Sequence, residues 1–186
     1  MTGATEWAES HLGIRLSSVM PIHDQWELGV AVRRTPLRAQ LLVNPVLAQH
    51  VPVSPQLARS AATELAQAVS QVVDVSHRSL IVGFAETATG LGHLCAEAFA
   101  PVDFITTTRV FDRAVHDGHL EFEEEHSHAV AHRLTPRQSD FLSERDVVVQ
   151  VDDELSTGKT AFNTLVELRA LSPDATFIVA TLVDGR

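Results

Sequence analysis

The run Val147-Val148-Val149-Gln150-Val151 constrains this chain most, because it leads straight into Asp152-Asp153. A short, nearly unbroken apolar stretch without alternation reads as a strand buried on both faces. Such strands belong to parallel sheets covered by helices. Ser156-Thr157-Gly158-Lys159-Thr160 follows as a loop of small and hydroxyl-bearing residues, and Ala161 to Leu171 as an amphipathic helix. The unit is strand, acidic pair, loop, helix. Backbone N–H groups at a helix start lack intrahelical partners and carry the positive end of the dipole, so they bind anions. Two carboxylates just behind can grip sugar hydroxyls or a metal ion. The arrangement suits a sugar phosphate.

Two other readings compete for these residues. Gly158-Lys159-Thr160 could end a Walker A loop, but that loop needs a glycine five positions before Gly158, where Asp153 stands. A plain strand–turn–helix with a threonine cap leaves Asp152 and Asp153 unexplained, because adjacent acids repel unless something binds them.

The 186 residues suffice for one domain with a sizeable core, and 45% of them are apolar, as in a globular protein. No run approaches the roughly 18 apolar residues of a membrane-spanning helix. Met1 to His11 is polar and acidic, unlike a secretory leader. The single cysteine, Cys95, excludes an internal disulfide and reads as packing on the apolar face of a helix. Together these point to the cytoplasm and to no membrane partner. A formal net charge of −10, with no basic stripe carrying aromatics, argues against nucleic acid. An acidic protein still binds a polyanionic small molecule when amides, a few cations and Mg²⁺ gather locally.

Residues 1–53 read as a small β-containing N-terminal cap. Trp26 to Val32 alternates as a half-buried strand does, and Gln40 to Val43 is a second strand. Ser54-Pro55 opens a helix whose apolar positions are Leu57, Ala61, Leu65, Val69 and Val72. Residues 54–186 read as an α/β core: strands at Leu80–Phe84, Val102–Thr108, Val147–Val151 and Thr176–Val183, helices at Gly90–Ala100 and Lys159–Leu171. This order predicts a parallel, twisted sheet with helices on both faces. Ligands in such sheets bind beyond the carboxyl ends of the strands, where Asp152 and the loop after Phe84 both lie. Some 38 residues separate Thr108 from Val147, an abnormally long connection. Most of it, Arg109 to Leu134, shows no core periodicity. A polar connection of this length in a compact domain is usually functional or disordered.

That connection holds Glu121-Phe122-Glu123-Glu124-Glu125-His126-Ser127-His128, and five of the ten histidines fall between His116 and His132. Three readings stand: a His/Glu transition-metal site without an HExxH-type framework, a solvated acidic loop, or a flap that closes over substrate and excludes water. Arg33, Arg34 and Arg38 form a small basic cluster that could reach a phosphate or an acidic base; surface solvation is the better account of any one of them.

The apolar run, acid pair and Ser156–Thr160 loop resemble the 5-phosphoribosyl-1-pyrophosphate (PRPP) signature of type I phosphoribosyltransferases. Three further phrases sharpen the resemblance: Asn44-Pro45-Val46-Leu47-Ala48-Gln49-His50-Val51-Pro52-Val53, Gly83-Phe84-Ala85-Glu86-Thr87-Ala88-Thr89-Gly90-Leu91-Gly92, and Glu124-Glu125-His126-Ser127-His128-Ala129. With the PRPP motif they look like the phosphoribosyltransferases of bacterial tellurium-resistance gene clusters, a branch similar to orotate phosphoribosyltransferase. The match runs from about Arg33 to the end.

The resemblance implies an enzyme that transfers phosphoribosyl from PRPP to a nucleobase-like acceptor, releasing pyrophosphate and making a nucleoside-like metabolite. It implies that Asp152 and Asp153 face the ribose hydroxyls and share Mg²⁺, mainly through PRPP. It implies that Ser156, Thr157, Gly158, Lys159 and Thr160 wrap the 5-phosphate. Ala85, Glu86, Thr87, Ala88 and Thr89 would form the pyrophosphate loop, with Arg109 at a strand end beside it. Type I enzymes carry a mobile loop between core strands at this position, so residues 109–135 would be a flexible catalytic loop, with Glu125, His126 and His128 in it and in the active site, a histidine there moving a proton near neutral pH. The family's usual basic-residue–Gly–Gly core is replaced by Glu86-Thr87-Ala88, which puts a carboxylate near a diphosphate unless Mg²⁺ lies between them or Glu86 points away. Ser156 stands where purine-salvage relatives carry an acid, which favours an orotate-like or unusual base. Type I folds continue past a strand such as Thr176–Val183, so a homodimer, a further C-terminal segment or a partner protein is expected. Two alternatives remain open: a non-catalytic PRPP sensor, and a His/Glu metal-binding protein.

Overall fold

A computed structural model of the chain describes residues 28–32, 40–49, 51–109, 120–122, 132–136, 138 and 140–185, with Glu6, Glu9 and Ser10 near the N-terminus. The chain divides into two units, Met1–Ala58 and Arg59–Arg186. In the first, strands β1 (Gly29–Val32) and β2 (Gln40–Val43) pair antiparallel, Gly29 opposite Val43 and Val32 opposite Gln40. Asn44 then caps a single 3-10 turn, Pro45–Leu47, its side-chain oxygen accepting from the Val46 N–H at 3.2 Å. Trp26, Arg33, Arg34 and Arg38 lie outside the described residues.

Helix α1 (Pro55–Ser70) starts as its sequence predicts, with the Ser54 hydroxyl oxygen accepting from the Leu57 N–H at 3.2 Å. Its buried face is Ala61, Ala62, Ala66 and Val69. Val72, expected on that face, is 71% exposed. The helix ends at Ser70, and the N–H groups of Gln71 and Val72 bond to the Ala68 and Val69 carbonyls, three residues back. That tighter winding turns Val72 away from the apolar face.

The second unit is built on a four-stranded parallel sheet of order β4-β3-β7-β8. The strands are β3 (Ser79–Gly83), β4 (Asp103–Thr106), β7 (Val147–Leu155) and β8 (Thr176–Asp184). β3 and the first five residues of β7 are buried throughout, which is why their sequences show no alternation. Side chains alternate across a strand, so Leu80, Val82 and Val148 share one face while Ile81, Gly83 and Val149 share the other. On the first face Leu80, Val82, Phe84 and Val148 pack with Leu134, Leu142 and with Leu168 of α3 (Lys159–Leu171). On the second lies α2 (Thr89–Phe99), so close that a Cβ on Gly92 would stand 2.8 Å from the Gly83 Cα. Helices cover both faces of the parallel sheet, as expected.

The long connection differs from its expected form. β5 (Leu120–Phe122) and β6 (His132–Leu134) pair antiparallel within it, and Thr108 and Arg133 exchange backbone hydrogen bonds at 2.9 and 3.0 Å. Leu134 is fully buried and His132 is 2% exposed, so this end of the connection belongs to the core. Three residues are too few to show a period, which hid the strand. No helix among the described residues is long and apolar enough to cross a membrane.

Candidate active site

Because all four strands run parallel, the loops after β3, β4 and β7 leave from one edge of the sheet. β3 pairs with β7 only as far as Gly83 opposite Val151. β7 continues to Leu155 beside β8 alone, with Asp152 opposite Thr181 and Leu155 opposite Asp184. The acidic pair was expected at the strand's C-terminal end, after Val151; it lies inside a longer strand that runs on to Leu155, where the ladder with β8 holds it extended despite its low strand propensity. Asp152 and Asp153 are half-buried. Successive residues face opposite sides of the sheet. Asp153, on the α2 side, accepts a hydrogen bond from the Thr87 hydroxyl at 2.7 Å. An Asp152 carboxylate oxygen accepts from the Asp153 backbone N–H at 2.9 Å.

The Ser156–Thr160 loop turns the chain from β7 into α3. Gly158 is the helix N-cap at φ +75°, the left-handed region where glycine is favoured, and it supplies no side-chain cap. The Lys159 N–H reaches the Thr157 hydroxyl at 3.3 Å. The N–H groups of Thr160 and Ala161 find no acceptor among the described residues, so the helix start stays open to an anion. Ser156, Thr157 and Lys159 are exposed, and Gly158 and Thr160 are half-buried.

The loop after β3 is partly committed to its own fold. The Ala85 N–H donates to the Thr107 hydroxyl oxygen at 2.8 Å, and the Ala88 N–H to the Phe84 carbonyl at 2.9 Å. The Ala85–Glu86 peptide is cis. Glu86 is exposed, Ala88 is buried, and the Thr89 and Thr106 hydroxyls lie 3.2 Å apart. The amides of Glu86, Thr87 and Thr89 meet no acceptor among the described residues and are open to a ligand, while the Thr87 hydroxyl donates to Asp153.

Arg109, expected beside the pyrophosphate loop, donates from Nε to His132 Nε2 at 3.2 Å. His132 Nδ1 lies 2.9 Å from the Thr107 hydroxyl oxygen, and Phe84 meets the imidazole edge-on, ring centroids 6.0 Å apart. His132 had been one of five histidines in a polar connection and Thr107 one of three threonines ending a strand. Neither carried a sequence signal of its own. Glu125, His126 and His128 lie outside the described residues.

Among the described residues no group of three or more His, Cys, Asp or Glu side chains could hold a metal. Asp152, Asp153 and Glu86 offer only oxygen donors, which fits Mg²⁺ carried in by a phosphate-bearing ligand and completed by its oxygens and water. Cys95 takes no part. Its Sγ bonds to the Ala62 carbonyl at 3.4 Å, and burial pushes its thiol up to about 12.

A family model described as phosphoribosyl transferase matches residues 28–186. No curated protein matches the chain. Solved structures do. The crystal structure of adenine phosphoribosyltransferase from Trypanosoma brucei, in complex with AMP, pyrophosphate and ribose-5-phosphate, matches with a TM-score of 0.65 at 17% identity, over 91% of this chain and 70% of that one. The enzyme of the same name from Rhodothermus marinus matches with a TM-score of 0.59 at 17% identity, over 84% and 81%. The Giardia lamblia enzyme with 9-deazaadenine matches with a TM-score of 0.56 at 19% identity, over 82% and 80%. At these identities the structures speak for a shared fold, and the family model speaks for descent: the chain belongs to the phosphoribosyl transferase family and is a PRPP-dependent pentosyltransferase.

Proposed function

We propose that the chain moves the phosphoribosyl group of PRPP onto a nitrogen of a nucleobase-like acceptor and releases pyrophosphate. The observation that carries this reading is the 2.7 Å bond between Thr87 and Asp153. It brings the loop after β3 against the acidic end of β7, one turn of chain from the open start of α3. A sugar carrying phosphate at one end and diphosphate at the other needs three such stations side by side.

In this reading Ser156 to Thr160 receive the 5-phosphate on amides, hydroxyls and the Lys159 ammonium. Asp152 and Asp153 hold the ribose hydroxyls and stabilise positive charge on the ring as the bond from C1 to the diphosphate oxygen breaks. The open amides of Glu86 and Thr87 hold the departing pyrophosphate, with Ala85, Ala88, Thr89 and Arg109 shaping their surroundings. Donors preset where charge develops are the largest electrostatic contribution to such a step. A base nitrogen bonds to C1 as the pyrophosphate leaves, and its proton passes to His126 or His128 on a flap formed by the part of residues 109–135 that precedes β6, which also carries Glu125. Mg²⁺, held by Asp152 and Asp153 mainly through PRPP, supplies charge neutralisation at the diphosphate when bound. We assign residues 1–53 as an N-terminal cap region and 54–186 as the PRPP-binding core, in a cytoplasmic homodimer. The acceptor chemistry is that of the tellurium-cluster branch, a precursor of a nucleoside-like metabolite.

Asp152→Asn combined with Asp153→Asn should weaken PRPP binding in calorimetry at least about tenfold, the scale of one lost charge-assisted bond. Unchanged affinity removes the acidic pair from the site. Wild-type protein that binds PRPP yet releases no pyrophosphate with any base of a broad panel would be a PRPP sensor.

A further inference from the structure

We propose that His132, acting through Thr107, is a positioning residue for the pyrophosphate loop. The inference rests on the assignment of residues 85–89 to that loop. Four groups form one chain: Arg109 Nε to His132 Nε2 at 3.2 Å, His132 Nδ1 to Thr107 Oγ1 at 2.9 Å, and the Ala85 N–H to the same Thr107 oxygen at 2.8 Å. The bonding fixes the direction of each donor. Arginine has no acceptor, so His132 Nε2 must be unprotonated and Nδ1 carries the hydrogen. Nδ1–H therefore donates to Thr107, whose oxygen accepts from two sides at once.

Its two lone pairs are then spoken for, and the hydroxyl cannot rotate to serve Ala85 any differently. His132 is 2% exposed and Thr107 1%, so water does not compete for these bonds. Phe84, the residue before Ala85, packs edge-on against the same imidazole. The loop is anchored at Ala85 by a side chain of β4's end, and that side chain is oriented from β6. The adjacent amides of Glu86 and Thr87 inherit this placement.

The experiment is calorimetric titration of the full chain with Mg²⁺·pyrophosphate and, separately, with ribose 5-phosphate, which reads the Ser156–Thr160 station instead. Thr107→Val removes the double acceptor at constant shape and should weaken pyrophosphate at least about tenfold, the loss expected for unsatisfying a buried donor beside the ligand. Ribose 5-phosphate affinity should stay within about twofold. Thr107→Ser should restore pyrophosphate binding. His132→Leu should behave as Thr107→Val does, and His132→Asn, whose amide N–H can still reach Thr107, should recover most of the loss. Equal affinity for pyrophosphate in wild type and Thr107→Val overturns the proposal. So does parallel loss of both ligands, which marks general damage. If wild-type protein binds neither PRPP nor pyrophosphate, the site assignment itself has failed.

Discussion

Two glycines would fail for different reasons if replaced. Alanine at Gly92 drives a Cβ to 2.8 Å from the Gly83 Cα, backbone against backbone, so α2 must lift off the sheet. Overpacking of this kind costs about 1–3 kcal/mol, and the melting temperature should fall by about 2–4 °C for each of them. Alanine at Gly158 has room, its nearest neighbour being Leu155 Cδ1 at 3.7 Å, but it inherits φ +75°. That costs about 1 kcal/mol through backbone strain alone, and Gly158→Asn should be better tolerated than Gly158→Ala in urea unfolding. Gln150 is a third telling residue. It is fully buried mid-strand in β7, between Val82 and Val179, and neither its amide nitrogen nor its oxygen has a hydrogen-bond partner among the described residues. A buried unpaired amide costs about 1–3 kcal/mol, so Gln150→Met should raise the urea midpoint. A lowered midpoint would show that the amide has found a partner. Cys95 gives a pH test. Its thiol stays protonated in the folded chain up to about 12, whereas the unfolded thiol ionises from its ordinary 9.0. Its contribution to stability is therefore whole below pH 9 and is lost as pH climbs towards 12. A thiol reagent at pH 8 should label Cys95 only after unfolding.

At the scale of elements, legibility tracked burial on both faces. β3, β7 and α3 were readable because a central parallel strand is a bare apolar run and its helix repeats at 3.6. The last four residues of β7 were not readable. Asp152 to Leu155 stay extended only because β8 runs beside them, and no local pattern reports a neighbour contributed from residues 181–184. β6 was missed for the opposite reason: three residues carry too little pattern, and a buried histidine looks like any histidine in a polar stretch. At the site, the acidic pair and the Ser156–Thr160 loop announced themselves by composition, while Thr107 and His132 act through contacts between distant strands. The single-sided pairing has a measurable result. Hydrogen exchange of the Val148–Val151 amides, in strand sections flanked by β3 and β8, should be slower than that of Asp153 to Leu155, which have β8 alone.

For the whole molecule, a formal charge of −10 opposes the approach of a polyanion. The Debye length shrinks from about 30 Å at 0.01 M salt to about 8 Å at 0.15 M. If the distant charges govern encounter, the association rate for PRPP at fixed free Mg²⁺ should rise across that range in stopped-flow measurements. A falling rate would mean that Lys159, Arg109 and the amides near them dominate even at long range. The backbone contact between Gly83 and Gly92 has a different reach. It fastens both roots of the intervening segment to the scaffold, so that segment's course is dictated from outside itself. Bonds from Ala85, Thr87 and Ala88 then hold the inner side of that segment, while Glu86 is left exposed. With its roots fixed, the exposed Glu86 of this segment can be exchanged, and alter which guest is welcomed, long before the house is altered.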